Sequence, residues 1–191
     1  MSEPEAAELA RYAAALPIPM ATVDRMRPWM AANTVGAALL KQLDLSSVLG
    51  ADLILNRDAI AAGKPVNGFE NLDQQLHFFA DLSPEDELAY LRQALAEANS
   101  GKERFTELER LWLTGDDVTL TKVAIDPMRT RNPLLYERFV AARNRTWMPR
   151  IKILLATPGA HFIAVGNGHL LGPDGLLALL TLGGWRVERV Q

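Results

Sequence analysis

A histidine, a glutamate and an arginine in this sequence have the type and surroundings that chemistry requires. His169 follows a glycine turn near the C-terminus. A neutral imidazole binds metals or accepts protons, and the flanking Gly166 and Gly168 allow a substrate to approach closely. A histidine in a glycine turn can also be purely structural, and the local sequence alone favours that alternative.

Glu70 is the second candidate, as a metal ligand or as a general base. It follows Gly68 at the end of the segment Pro65–Glu70. The alternative is a carboxylate at the start of the next helix, where the amides of residues 71–73 would stabilise it by about 0.3–1 kcal/mol. The local sequence favours this structural role over the catalytic one.

Arg143 is the third candidate, because it interrupts an apolar helical stripe. The stripe has spacings of four, three, four, four and three residues and consists of Tyr136, Val140, Arg143, Trp147, Ile151 and Leu154. A buried guanidinium needs a carboxylate, a carbonyl or a bound anion as its partner. An arginine whose stem covers apolar surface is an equally good interpretation. The neighbouring Asn144 could orient a partner group.

Apolar runs predict three β-strands that would position these residues. They are Pro65–Glu70, Phe162–Val165 and Trp185–Val190. Strand–helix alternation toward the C-terminus favours parallel pairing, so we predict a helix-rich α/β fold with a small, mainly parallel sheet of about three strands. Ligands bind beyond the carboxyl ends of such strands, which is where Glu70 and His169 would lie.

The length of the chain predicts one domain, 1–191, with a helical region at 1–63 and a strand–helix region at 64–191. Capping residues and apolar patterns predict helices at 3–15, 31–43, 53–62, 72–80 and 176–182, one that starts at Ser83-Pro84, and the striped helix that starts at Pro133. Pro149 should kink or divide the striped helix.

Composition argues against several classes of partner. The net charge is -3 without a basic stripe, so we expect no nucleic-acid partner. No apolar run reaches the ~20 residues of a membrane helix, so we expect no membrane span. The chain has no cysteine, which excludes thiolate ligands. The N-terminus, as it stands, shows no export signal, because acidic residues precede its apolar ones. The localisation therefore stays open.

Several motifs, taken together, resemble the TraB/GumN family, which is similar to the Tiki metalloproteases and more distantly to ChaN and erythromycin-esterase-like proteins. Their order and spacing agree over nearly all of the chain. The motifs are Arg25–Trp29, Gly50–Asp52, Gly63–Glu70, Gln75-Leu76, Arg143–Trp147, Val165–Gly172, Gly175-Leu176 and Leu182-Gly183.

This resemblance implies metal-dependent hydrolysis, of peptide bonds in the Tiki branch, on a peptide or small-molecule substrate. The family's metal site uses the histidines of two G-x-x-H motifs and a glutamate. By resemblance, His169 and Glu70 would bind a divalent metal such as Mn, Co or Zn. Glu70 and Arg143 would be catalytic, and Arg143, Asn144, Gly166 and Gly168 would contact substrate. Bacterial members of the family are often exported.

Two departures from the family pattern shape the expectation for this chain. The first G-x-x-H motif is not found, so the resemblance covers the later two thirds of a family member. Ala142 also replaces the signature glutamate before Arg143. With one histidine and one carboxylate, we expect weak metal binding or none, since catalytic zinc usually has three protein ligands. A non-catalytic binding module, forming a homodimer through an open sheet edge, is therefore the alternative to an incomplete hydrolase.

Overall fold

The computed structural model describes residues 1–46 and 49–190, and this part of the chain is helical without any β-strand. The chain divides into two compact units, Met1–Phe105 and Thr106–Gln191. The α-helices are α1 (Glu3–Ala13), α2 (Met20–Val23), α3 (Pro28–Gln42), α4 (Ala51–Ala61), α5 (Leu72–Ala80), α6 (Pro84–Asn99), α7 (Gly101–Thr114), α8 (Asp117–Leu120), α9 (Asp126–Arg131), α10 (Pro133–Tyr136), α11 (Ala142–Ala156) and α12 (Leu176–Leu182).

The predicted α/β fold is therefore wrong. Residues 65–70, 162–165 and 185–190 are irregular, and none of them belongs to a sheet. A strand requires a neighbouring strand to complete its hydrogen bonds, and a short apolar run does not reveal whether such a neighbour exists. With no strand among the described residues, the sheet edge through which a homodimer was expected to form is also lost. The homodimer itself stays a prediction.

In the first unit, helices α1, α3 and α6 pack around an apolar core. Local signals fix the helix starts: Ser2 and Glu5 form a capping box on α1, and Ser83 caps α6 ahead of Pro84. The core consists of small and branched side chains from these helices and from the end of α2, with one tyrosine: Leu9, Tyr12, Ala13, Val23, Ala31, Ala32, Val35, Ala38, Leu91, Leu95 and Ala98.

Among the described residues of this unit, the carboxylate of Glu87 is buried, and it accepts a hydrogen bond at the start of α3. Glu87 on α6 is 3% exposed and forms an ion pair with Arg27, whose Nε lies 3.0 Å from Glu87 Oε1. The Trp29 amide, in the first turn of α3, donates to Glu87 Oε2 at 3.4 Å. Arg27 also donates to the Ala80 carbonyl at 2.8 Å. This part of the Arg25–Trp29 motif is thus structural, because it joins the start of α3 to α6.

In the second unit, two helical stretches each contain a π turn. Residues Thr121–Ile125 form one between α8 and α9, and Glu137–Ala141 form the other between α10 and α11. A π turn contains about one residue more than an α turn. In a regular helix the seventh residue after Tyr136 would lie in line with it, but the extra residue gives that place to the eighth, Asn144. Helix α11 then continues through Pro149 to its end.

The segment after α11 returns to this helix as an irregular chain. It includes a short 3-10 turn, Asn167–His169, and a turn at residues 172–175, closed by a hydrogen bond from the Gly175 amide to the Gly172 carbonyl at 3.1 Å. Helix α12 starts directly afterwards. The apolar core beneath this segment consists of Leu111, Leu120, Ile125, Tyr136, Val140, Ala141 and Leu171.

Candidate functional site

Asn144 is the centre of a polar cluster inside the second unit. Its side chain is fully buried, with 0% exposure. The amide Nδ2 donates to two backbone carbonyls, that of His169 at 3.1 Å and that of Asp174 at 2.8 Å. The amide Oδ1 lies 2.7 Å from His169 Nδ1. Asn144 therefore holds both the backbone and the ring of the histidine.

These contacts determine which nitrogen of His169 carries the proton. Carbonyl oxygens can only accept, so the NH₂ group of Asn144 must face the carbonyls of His169 and Asp174, and Oδ1 must face the ring. An amide oxygen can also only accept, so Nδ1 of His169 must be the donor. While the ring is neutral, its lone pair is consequently on Nε2. That nitrogen can act only as a metal ligand or as a proton acceptor.

A tryptophan of α11 lies against the histidine, and an arginine of the same helix lies against the tryptophan. The Trp147 ring is 4.5 Å from the His169 ring between centroids, with the planes at 45°. The guanidinium of Arg143 lies over the Trp147 ring at 5.1 Å, and its Nη1 donates to the Phe139 carbonyl at 3.2 Å. A carbonyl was one of the partners that the sequence required for Arg143. The indole ring limits the rotation of the imidazole and attracts the cation through its π face.

A tyrosine and an aspartate, which sequence reasoning missed, extend the cluster. The Tyr136 hydroxyl donates to Asp174 Oδ2 at 3.0 Å. Burial of the phenol and its hydrogen bond to this carboxylate raise the pKa of Tyr136 to about 12. In the sequence, Tyr136 belongs to the apolar helical stripe, which indicates a core residue and not a functional one. Asp174 stands between two glycines, a pattern that indicates a turn and not a partner for a buried hydroxyl.

The glycines that the backbone requires are not the two nearest the histidine. A Cβ at Gly166 would come no closer than 4.0 Å to His169, and one at Gly168 would make an ordinary 3.7 Å contact with Ile125. A Cβ at Gly175 would lie 2.5 Å from the Leu170 carbonyl oxygen. Gly172 has a φ of 78°, which favours glycine. Substrate contact by Gly166 and Gly168 stays a prediction.

Glu70 belongs to the first unit, where it is half-buried just before α5. The Gln75 Nε2 atom lies 3.4 Å from its carboxylate. The cap of α5 is Asn71, which exchanges hydrogen bonds with Gln74 at 2.8 and 2.9 Å. A Cβ at Gly68 would lie 2.8 Å from the Glu70 carbonyl oxygen, so the turn before Glu70 requires glycine. Its role as ligand or base stays a prediction.

The family model described as the TraB/PrgY/gumN family matches residues 1–189. The chain belongs to the TraB/PrgY/gumN family. No match was found among curated proteins or among solved structures. In this TraB/PrgY/gumN member, the Val165–Gly172 motif contains the histidine, and the Arg143–Trp147 motif supplies the asparagine and tryptophan that contact it. The arginine of the same motif contacts the tryptophan. The described helices include none long and apolar enough to cross a bilayer.

The donor set for a metal can be tested against these contacts. Imidazole Nε2 opposite an Nδ1–H that is hydrogen-bonded to an amide is the arrangement of a metal-binding histidine. Across the described ranges, however, no three histidine, aspartate or glutamate side chains are grouped as metal ligands. The carboxylate nearest the histidine in sequence, Asp174, already accepts from Tyr136. The described residues therefore fit one ligand and not the set of three.

Proposed function

We propose that this TraB/PrgY/gumN member is a hydrolase of peptides or small acyl substrates, in which Nε2 of His169 is the reactive atom. The observation that supports this proposal is the buried Asn144, which keeps the proton of the neutral ring on Nδ1. A base whose tautomer and orientation are fixed by an amide is a recurring arrangement in acyl-transfer enzymes.

In the proposed reaction, His169 accepts a proton from water at Nε2. The water oxygen bonds to the substrate carbonyl carbon, and the bond from that carbon to the leaving nitrogen or oxygen then breaks. The leaving group takes the proton back from Nε2, so the enzyme returns to its starting state. Nδ1 carries a proton throughout, so its hydrogen bond to Asn144 persists and stabilises the imidazolium.

Arg143 would bind the substrate carboxylate or stabilise the negative charge that develops on the carbonyl oxygen. This role is supported by its position over the Trp147 ring, which also contacts the His169 ring. Asn144, fully buried and bonded on both sides, is best suited to positioning the ring. Glu70 would serve as a general acid or base in addition to His169, a role that rests on the sequence and on the family resemblance.

Metal dependence is a separate part of the proposal. When bound, Mn, Co or Zn would polarise the scissile carbonyl or acidify a water molecule. The described residues offer His169 Nε2 as one ligand but do not complete a site, so no step of the reaction above passes through a metal.

The test is hydrolysis of a fluorogenic peptide library and of p-nitrophenyl esters by the full chain and by H169A. We expect H169A to lose about 10²–10⁴-fold in rate, the usual contribution of a general base. The matched control is H161A, because His161 belongs to the same unit and is exposed, with Nε2 3.3 Å from the Thr157 carbonyl. H161A should retain the rate.

The same assays, run with EDTA and with added Mn²⁺, Co²⁺ or Zn²⁺, separate the two uses of Nε2. A rate that EDTA abolishes and metal restores would make His169 a ligand, and a rate indifferent to both would make it a base. Equal turnover by H169A and the unchanged chain would overturn the hydrolase proposal.

A further inference from the structure

We infer that Tyr136 and Asp174 are positioning residues that keep His169 in the Nδ1–H tautomer by acting through Asn144. The inference rests on the proposed function in one respect, namely that the Nδ1–H tautomer leaves Nε2 to act as the base. The hydrogen-bond chain itself can be tested without any substrate.

The chain of contacts is continuous from the phenol to the imidazole. Tyr136 donates to the carboxylate of Asp174 at 3.0 Å, and the backbone carbonyl of the same Asp174 accepts from Asn144 Nδ2 at 2.8 Å. Asn144 Oδ1 in turn accepts from His169 Nδ1 at 2.7 Å. Asp174 therefore links Tyr136 to Asn144: its carboxylate binds the phenol, and its backbone carbonyl binds the amide.

The loop that contains Asp174 cannot move far without changing the hydrogen bond between its carbonyl and Asn144. The turn from Gly172 to Gly175 is closed by a backbone hydrogen bond, and a Cβ at Gly175 would meet the carbonyl oxygens of Leu170 and Leu171 at 2.5 and 2.6 Å. Such close packing transmits a displacement of the carboxylate to the carbonyl of the same residue.

Both ends of the chain of contacts are on one helical stretch. Tyr136 ends α10 and Asn144 lies near the start of α11, on either side of the π turn Glu137–Ala141. The helix thus holds the Asp174 turn at two points, once by a hydroxyl and once by an amide. Loss of the hydroxyl leaves one point, about which the turn can shift and the Asn144 amide can lose its carbonyl acceptor.

The tautomer is the property that responds, because free histidine in water prefers the proton on Nε2. The structure holds His169 in the other form, through the Asn144 amide. When the amide is no longer fixed by two carbonyls, it can turn its NH₂ group toward the ring, where only the Nε2–H tautomer offers an acceptor. Loosening Tyr136 or Asp174 should therefore mix the two tautomers.

The experiment is ¹⁵N NMR of the ring nitrogens in the full chain, at a pH where the ring is neutral. The sequence has only three histidines, so H77A and H161A assign the signals. In the unchanged chain, His169 should show a protonated Nδ1 and an unprotonated Nε2. In Y136F and D174A the shift difference between the two nitrogens should narrow, and in D174N, which keeps an oxygen acceptor for the phenol, it should be largely restored.

Y12F is the matched control for a general loss of stability. Tyr12 in the first unit is 2% exposed, and its hydroxyl donates to Asn99 at 2.9 Å, so the variant removes the same kind of hydrogen bond. Y12F should leave the His169 signals unmoved. The inference is overturned if the unchanged chain shows Nε2–H, or if folded Y136F and D174A give the unchanged spectrum. An unchanged spectrum in folded Y136F and D174A would leave the hydrolase proposal standing. Equal turnover by H169A and the unchanged chain would overturn the hydrolase proposal and leave this inference standing.

Discussion

Each unit of this protein buries a polar side chain, and the two do different work. Glu87 in the first unit is 3% exposed and binds Arg27 and the first-turn amide of α3. Asn144 in the second unit is 0% exposed and binds two carbonyls and a titratable ring. The first satisfies groups that any helix start must satisfy. The second fixes the tautomer of a histidine, which no helix or turn requires, and this difference is the reason that the proposed site lies in the second unit.

The largest effect should come from removing the Asn144 amide. N144A removes the three hydrogen bonds that the fully buried Asn144 makes to the His169 ring and to two backbone carbonyls, so we expect a loss of about 3–5 kcal/mol in the free energy of unfolding. Urea denaturation measures it. The matched control is N71A, because Asn71 is exposed and bonds locally to Gln74 as the cap of α5, and its loss should cost about 1 kcal/mol. Equal losses would contradict the central role of Asn144.

The next effect tests whether the buried charge of the first unit is purely structural. R27A leaves Glu87 buried without its cation, at a cost of about 2–4 kcal/mol. E87Q should cost less, about 1–2 kcal/mol, because half of the Arg27 side chain is exposed and can turn to water. Both variants should leave the His169 ring signals unchanged in ¹⁵N spectra. A moved His169 signal in R27A would show that the two buried groups are not independent.

A smaller effect on stability should distinguish Gly175, which the turn requires, from Gly166, which has room for a side chain. G175A places a methyl group 2.5 Å from the Leu170 carbonyl oxygen, so the turn must shift, and we expect a loss of about 1–3 kcal/mol. G166A meets only ordinary contacts, with φ -56° and ψ 139°, and should be neutral or stabilising by up to about 1 kcal/mol. Thermal unfolding of both variants gives the order. A G166A loss as large as that of G175A would contradict it.

The smallest effects concern pH, and each titrating group acts in its own pH range. Hydrogen bonds from Arg92 and the Ser2 amide lower the pKa of Glu5 to about 2, so its stabilising contribution is present above pH 4.5 and is lost as the pH falls toward 2. Asp81 and Asp73 raise the pKa of His77. Its contribution is therefore full below pH 6.5 and is lost as the pH rises through the folded pKa.

Tyr136 in the second unit should act at the alkaline end. Its pKa is raised to about 12, so the neutral phenol stabilises the folded state below pH 10, and this contribution is lost as the pH rises toward 12. Unfolding curves of the unchanged chain, E5Q and Y136F against pH measure these contributions. E5Q should flatten only the acid limb and Y136F only the alkaline limb. If both variants flatten the same limb, the assignment of the acid limb to Glu5 and of the alkaline limb to Tyr136 fails.

Local sequence signals predicted the helices well. They did not predict the sheet correctly, because a sheet depends on pairing between segments that are distant in the sequence. The helices Leu72–Ala80 and Leu176–Leu182 have the predicted bounds, and Ser83 caps the helix that starts at Pro84. Caps and periodicity lie within a few residues of the element that they determine. The strands expected at 65–70, 162–165 and 185–190 depended on partners elsewhere in the chain, about which an apolar run contains no information.

The candidate site was predictable in part. His169 and Arg143 stood out by their surroundings, and the family resemblance is confirmed over residues 1–189. The buried role of Asn144 was not visible, because the α-helical spacing used for the stripe puts Arg143, and not its neighbour, in line with Tyr136. The π turn that changes this alignment has no sequence signature of its own. Asp174 was hidden for another reason, since the turn pattern Gly172-Pro173-Asp174-Gly175 does not indicate a partner for a buried hydroxyl.

The extra residue in Glu137–Ala141 affects how this chain should be compared with its relatives. A π turn of this kind corresponds to a single-residue insertion in an otherwise ordinary helix. A relative that lacks the insertion would direct its asparagine to the same side after seven steps from the tyrosine and not eight. Alignments that forbid a gap inside this helix would then pair the asparagine with its neighbour and hide the shared site.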